Sequence, residues 1–479
     1  MRMWKIVPVA ITCVIAMTVS LEAARSGQPP NGGGDTAVQA EVVRASARPN
    51  IVLILTDDQR FDELAHLPAI DGQLVRRGML LRRAFVVNSL CCPSRSTILT
   101  GAYSHTTGIY LNGDGGAGGF PDFRDASTVA TWLRRGGYRT GLFGKYLNHY
   151  EHAAYIPPGW SHWRGLVGTN SEYYDYDVSI GGALAHHGHH PADYATDVFG
   201  SMTARWIRHV PARDPLFAYF APPAPHGPYT PPPRYRTAPA GSMPNYRSFN
   251  ESDASDKPGW IRSKPRLSQW QVQHAREQWV AKHQTLMAVD DAVRRIVDAL
   301  ADTGRLHNTL IVFTSDNGLS MGEHRLRYKM NAFEESIRVP MVVRWDGRVR
   351  AGSTSRHLAT NMDLAPTFAA AAGVPAPRSV EGVSLLPLLR RGRVVRTSFL
   401  IEHQYSARPE DPPTYCAIRT VRWKLVHNVG NRDELYNLAR DPWELHNLIA
   451  RPDTKKTRTV LMGRLRRACD PRPPGMSAF

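Results

Sequence analysis

Pro49-Asn50-Ile51-Val52-Leu53-Ile54-Leu55-Thr56-Asp57-Asp58 is an unbroken apolar run that ends in two carboxylates. Without polar alternation, such a run reads as a strand buried on both faces, as in a parallel sheet covered by helices. The pattern returns at Thr309-Leu310-Ile311-Val312-Phe313-Thr314-Ser315, which runs into Asp316-Asn317-Gly318. Open α/β sheets place ligands at the carboxyl ends of their strands. Asp-Asp alone is an ordinary strand-ending turn. Two such ends together offer three carboxylates and an amide oxygen, a hard all-oxygen set that fits Ca²⁺, with Mg²⁺ as the alternative, better than zinc.

A second stretch, Cys91-Cys92-Pro93-Ser94-Arg95-Ser96-Thr97-Ile98-Leu99-Thr100-Gly101, has the punctuation of a helix. Pro93 suits its first turn and Gly101 the residue past its end. Cys91 and Cys92 then lie at a helix N-terminus, where free N–H groups favour an anion, a thiolate or an oxyanion. Paired cysteines also occur as buried small hydrophobes or as halves of disulfides.

The run from Cys91 to Gly101 resembles the signature of the type I sulfatases, and further matches extend from about residue 49 to 448. Gly137-Tyr138-Arg139-Thr140-Gly141-Leu142-Phe143-Gly144-Lys145-Tyr146 resembles the second signature of that family. The resemblance implies an α/β fold like that of alkaline phosphatase. It has a large mixed, mostly parallel sheet flanked by helices, and a smaller C-terminal antiparallel sheet closed by one helix. It implies that a formylglycine-generating enzyme oxidises Cys91, and that Asp57, Asp58, Asp316 and Asn317 hold the metal together with residue 91. Lys145 and Lys329 would bind the sulfate, His226 would face the leaving oxygen, and Arg95 would hold the formylglycine diol, with Asp316 as the activating carboxylate. Cys92 is the variable position, which leaves Cys416 and Cys469 as a pair for an exported, oxidising setting.

The implied activity is hydrolysis of a sulfuric ester. The aldehyde hydrate attacks sulfur, and its second hydroxyl then expels sulfate. The family's commonest pattern has a His two residues after Lys145, where this chain has Leu147 followed by Asn148 and His149. Lys145-Tyr146-Leu147-Asn148 resembles the glucosamine-6-sulfatase and extracellular heparan endosulfatase branch, alongside arylsulfatases. The substrate implied is a sulfated sugar of the glucosamine-6-sulfate type or an aryl sulfate. A phosphonate or phosphodiester hydrolase of the same superfamily and a non-catalytic polyanion-binding protein are the rival readings.

Composition sets the outer bounds. With 479 residues, 42% of them hydrophobic, there is material for a large core. Residues 1–24 carry early basic residues, an apolar run and small residues, the form of a cleaved signal peptide, with a retained anchor as the alternative. Residues 25–47 read as a flexible linker, 48–374 as the catalytic domain and 375–479 as a C-terminal α+β subdomain. No later run is long enough to span a membrane, so a secreted or cell-envelope protein is expected. The net charge of +17 suggests acidic partners or simply a solvated, Arg-rich surface. Nucleic acid is not expected, for want of zinc-finger spacing or aromatic-interleaved basic helices.

Several local expectations can be checked directly. His186-His187-Gly188-His189-His190 reads as a mobile loop rather than a zinc site, and residues 222–228 as a stiff extended loop. Residues 420–426, 434–438 and 441–445 read as strands. The tail after 451 reads as a closing helix with a frayed end.

Overall fold

The computed structural model describes residues 48–113, 117–168, 172–408 and 410–477. The expected signal peptide and linker lie outside these residues. No helix among the described residues is long and apolar enough to cross a membrane.

The apolar runs become β1 (Asn50–Thr56), β2 (Met79–Leu81), β3 (Ala84–Phe85), β4 (Arg139–Gly144), β5 (His162–Leu166), β6 (Tyr176–Ile180), β7 (Ala183–His187), β8 (Leu216–Ala221) and β9 (Thr309–Ser315). After them come β10 (Arg338–Val339), β11 (Met341–Arg344), β12 (Ser353–Ser355) and β13 (Ala359–Thr360). Ten of these form one sheet in the order β12-β2-β11-β9-β1-β8-β4-β5-β6-β7. Its five central strands, β9 to β5, are parallel. β1 shows why both faces must be covered. Ile51, Leu53 and Leu55 enter one core cluster and Val52 and Ile54 the other, all fully buried.

Helix α1 (Cys91–Thr100) packs on the first face together with α2 (Val129–Arg135). α3 (Ala195–His209) and the long α4 (Gln269–Asp302) cover the second face. Each follows its local signals. Thr128 and Thr131 form a capping box on α2, Ser268 and Gln271 form one on α4, and α1 ends at Gly101 with φ 69°.

The C-terminal strands β14 (Ser398–His403), β15 (Tyr415–Thr420), β16 (Trp423–Asn428) and β17 (Glu434–Asn437) make an antiparallel sheet, closed by α5 (Lys455–Ala468). One face of this sheet contributes Phe399, Ile401, Ala417 and Val426 to the main core. The other packs on Leu461 and Leu465 of the helix.

Several local expectations are corrected. Residues 420–426 are not one strand, because the Thr420 hydroxyl accepts the N–H groups of Arg422 (3.3 Å) and Trp423 (2.8 Å) and closes a hairpin turn. Residues 441–445 form turns, with the Asp441 carboxylate accepting the His446 N–H at 2.8 Å. Residues 222–228 bend instead of extending, since the His226 N–H returns to the Pro223 carbonyl at 3.0 Å. His186 and His187 belong to edge strand β7, where His186 faces Asp175 and Asp177. The tail is packed rather than frayed as far as Met476, which lies in the same cluster as Cys469.

Cys469 is disulfide-bonded to Cys416 on β15, with Cα atoms 6.3 Å apart and a sequence separation of 53. The bond ties the closing helix to its sheet. Cys469→Ser is expected to lower unfolding stability by about 2–4 kcal/mol, the usual worth of a native disulfide over such a loop. Denaturant unfolding of parent and variant measures this, and coincident midpoints would count against it.

Candidate active site

Four adjacent parallel strands deliver the site. Register pairs Thr56 of β1 with Ser315 of β9, so the residues that follow, Asp57 and Asp316, emerge side by side. β4 and β8 pair Gly144 with Ala221, which puts Lys145 beside the start of the loop that carries His226. Gly144 has φ 111°, and a Cβ there would lie 2.0 Å from the Ala221 carbonyl oxygen, so only glycine permits this approach. The Lys145 N–H then donates to that same oxygen at 2.8 Å.

Cys91 opens α1 directly above these strand ends and is fully buried. Its Sγ lies 3.5 Å from Asp57 Oδ1 and 2.7 Å from Lys329 Nζ. Lys329 also contacts Asp58 Oδ1 at 2.5 Å, and Lys145 Nζ contacts Asp57 Oδ2 at 2.5 Å. Arg95, one turn after Cys91, sends Nε to Asp316 Oδ2 at 2.7 Å, Nη2 to Asp57 Oδ2 at 3.4 Å and Nη1 to the Lys145 carbonyl at 2.9 Å. All the carboxylates, amide and cations that the sequence singled out therefore meet at one buried point. Asp316 differs in one detail from its expected place as the activating carboxylate. Its oxygens are occupied by Arg95 and by the Asp58 N–H, at 3.1 Å, and it is Asp57 that hydrogen-bonds the residue 91 sulfur.

Electrostatics follow from this crowding. Burial alone would raise Asp57, yet Lys145, then His226, Arg95 and Lys329, hold its carboxyl well below the usual range. Burial, reinforced by Asp57, pushes Asp316 up. Burial and then Asp57 also push the Cys91 thiol far up, which outweighs the lowering by Lys145 and Lys329. Of the species a helix N-terminus favours, the thiolate is therefore the one this surrounding opposes.

The donor set can be tested against a divalent ion. Asp57, Asp58, Cys91 and His226 each offer a ligand atom within 4.8 Å of the others. Asn317 donates through Nδ2 to Asp58 Oδ1 at 2.5 Å, and its buried Oδ1 has no hydrogen-bond partner. An orphaned buried amide oxygen beside three buried carboxylates is what a hard cation would satisfy.

His226 stands at the rim. Its Nδ1 lies 2.7 Å from the Gly227 carbonyl, so Nδ1 carries the proton and Nε2 faces Asp58 Oδ2 at 3.5 Å. The Tyr173 hydroxyl holds the His226 carbonyl at 2.7 Å. Asn148 is buried, whereas His149 pairs with Glu151 at 3.0 Å. Above the site opens a cavity of about 570 Å³ lined by Asp58, His226, Tyr229, Gln278, Arg327 and Lys329, among others. Sequence reading missed Tyr229, Gln278 and Arg327, which sit on loops or helix faces without a motif. It also missed Lys282, whose Nζ holds the Asp58 carbonyl at 2.8 Å and Glu63 at 2.7 Å. A signal existed, since Lys282 interrupts the apolar stripe Trp279, Leu286, Val289, Val293 at helical spacing.

The family model for sulfatases matches residues 49–374. The chain belongs to the sulfatase family. It is by that membership a sulfuric ester hydrolase, and its architecture is that of the alkaline-phosphatase-like sulfatases. A second model, the C-terminal region of N-sulphoglucosamine sulphohydrolase, matches residues 322–470. This sulfatase is 34% identical over 463 residues to human N-acetylglucosamine-6-sulfatase, covering 85% of this chain and 82% of that protein. It is 37% identical over 374 residues to the extracellular sulfatase SULF-1 homolog of Drosophila melanogaster, covering 74% of this chain but spanning only 33% of that protein's length. A protein solved in complex with its substrate D-glucosamine-2-N,6-O-disulfate superimposes with TM-score 0.77 at 25% identity, covering 88% of this chain and 97% of that one.

Arg95 joins Asp57 and Asp316 with both partners fully buried. Arg95→Met is expected to cost about 3–5 kcal/mol, because the carboxylates would be left buried and uncompensated. Arg95→Lys should recover little of that loss, since an ammonium cannot reach three partners as the planar fork does. Thermal unfolding of both variants tests this, and a Lys variant that melts with the parent would refute the bridging role.

Proposed function

We propose that this sulfatase releases inorganic sulfate from a sulfated sugar of the glucosamine-6-sulfate type, with residue 91 oxidised to formylglycine. The observation that carries the reading is the placement of Cys91 Sγ between Asp57 and Lys329, the latter lining a cleft of about 570 Å³ together with Asp58 and His226. The branch of the family is taken from the named relatives, which include N-acetylglucosamine-6-sulfatases, and from the glucosamine disulfate complex.

Asp57, Asp58, Asp316 and Asn317 would hold a divalent cation together with the residue 91 oxygen. Calcium is favoured because it accepts irregular oxygen shells. Such an ion supplies Lewis-acid stabilisation of charge on sulfate oxygens. Formylglycine supplies a hydrate with two hydroxyls, one to attack sulfur and one whose deprotonation expels sulfate and restores the aldehyde.

The chain's own side chains prepare each stage. Lys145 and Lys329 neutralise an incoming sulfate, and both ammonium groups keep their protons because Asp57 and Asp58 outweigh the effect of burial. Asp57 Oδ1 orients residue 91, and Arg95 fixes Asp57 against it. His226, its ring held by the Gly227 carbonyl and its backbone carbonyl by Tyr173, would deliver a proton from Nε2 to the leaving alcohol. Export is part of the same reading, supported by the extracellular relative and by the form of residues 1–24. A formylglycine-generating enzyme is the partner needed for maturation.

Mass spectrometry of the Cys91 peptide from active enzyme should show a loss of about 18 Da relative to the thiol. An intact thiol in active protein would end the proposal. Kinetics separate the role of His226. His226→Gln should lose about 10²–10⁴ in kcat on an alkyl sulfate such as glucosamine-6-sulfate, and much less on an aryl sulfate whose leaving group needs no proton. Equal losses on both esters would remove His226 as the acid.

A further inference from the structure

Away from residue 91, the link between β2 and β3 is the dipeptide Arg82-Arg83, and it lies against three more arginines. Arg338 starts β10, which pairs with β3. Arg356 follows β12, and Arg419 is on β15. Together with Glu334 they line a recess of about 310 Å³ that shares no lining residue with the catalytic cleft.

The charge of this recess is unbalanced. Glu334 is the one acidic group lining it, and it is already engaged by Arg419 at 3.1 Å and Lys424 at 3.5 Å. Arg338 spends its donors on the Arg82 carbonyl, with Nε at 3.0 Å and Nη2 at 2.5 Å, and its guanidinium lies 4.2 Å from the Phe61 ring centroid. Arg82, Arg83 and Arg356 have no carboxylate within 4.0 Å among the described residues. Burial first, then Arg419 and Arg356 against the opposing pull of Glu334, lower the Arg83 guanidinium from its ordinary value. The recess is nevertheless built, since Arg419 is 3% exposed and also lies over the Phe85 ring at 4.8 Å.

We propose that this recess is a second anion site, which holds the sulfate groups of a sulfated polysaccharide at a distance from the bond being cleaved. Guanidinium forks match sulfate oxygens bidentately and are weakly hydrated, so several around one recess favour clustered oxyanions. Its volume is at the small end of the range of about 300–1,000 Å³ usual for ligand sites, enough for one charged sugar unit. No aromatic side chain lines it, which disfavours single-stranded nucleic acid, whose bases need stacking platforms. The net charge of +17 would steer such a polymer toward the protein. This site stands apart from the reaction at residue 91 and does not depend on it.

The test is binding of a labelled heparin-derived hexasaccharide to the full chain, followed by fluorescence anisotropy over a range of salt concentrations. Arg82 and Arg356 are exposed, so the double variant Arg82→Glu/Arg356→Glu should fold, and Arg83→Ala serves as a second, milder variant. The double variant is expected to lose roughly tenfold or more in affinity, with a shallower dependence on salt. Hydrolysis of a small aryl sulfate should stay within about twofold of the parent, as for independent sites. A desulfated hexasaccharide should bind weakly to both proteins. Unchanged affinity and salt slope in the double variant would overturn the site. So would a loss seen only on Arg327→Glu in the catalytic cleft. Single-stranded DNA that binds as tightly as the hexasaccharide, with the same sensitivity to Arg82→Glu/Arg356→Glu, would overturn the glycan assignment.

Discussion

Three buried carboxylates at the ends of two hydrogen-bonded strands are the constraint around which the molecule is arranged. Asp57, Asp58 and Asp316 are each no more than 4% exposed, and such a group is untenable without cations. Arg95, Lys145 and Lys329 answer that need from a helix, a strand end and a loop. α1 must therefore lie over the β1 and β9 ends, β4 must be placed two strands from β1, and the loop before β10 must fold back across the cleft. Lys282 and Glu63 extend the network beneath Asp58, so charge compensation reaches into the long helix on the far face.

The same compensation sets the chemistry. Groups that neutralise the carboxylates also converge on residue 91, and a sulfate placed there would meet two ammonium groups and the donor set of a divalent ion. Preorganisation comes from burial, since cations fixed in a low-dielectric site need little rearrangement when charge shifts on a bound ester. A plain thiol is poorly suited to this place. Burial and Asp57 push the Cys91 thiol up, and the proposed conversion of the residue to formylglycine would resolve the conflict between a buried acidic site and the need for a nucleophile.

Much of the fold was legible because β1, β8 and β9 are unmixed apolar runs and α1, α2 and α4 carry clear caps. The site was legible because its residues directly follow those strands or open that helix. Other features were hidden for physical reasons. The hairpin at 421–422 is closed by the Thr420 side chain within a run that otherwise reads as β-branched strand. The bend at 222–228 is a hydrogen-bonded turn among prolines, whose fixed φ suggests extension when read singly. Lys282 looks like a solvated lysine until its position within an apolar stripe is weighed.

The sequence by itself pointed to most of the strands and helices, offered Asp57-Asp58 and Asp316-Asn317 as candidate metal ligands, and carried in Cys91 to Gly101 the resemblance to the sulfatase family. The strands and helices rest on interactions between near neighbours in the chain, and the ligand set and the Cys416–Cys469 pair were read with the help of the family resemblance. Tertiary structure alone decided that the Cys91 thiol meets Asp57 Oδ1 while Asp316 is held by Arg95, and that arginines from four separate segments surround one recess. Those outcomes depend on strand register and helix placement, which bring together residues up to several hundred positions apart and leave no local trace.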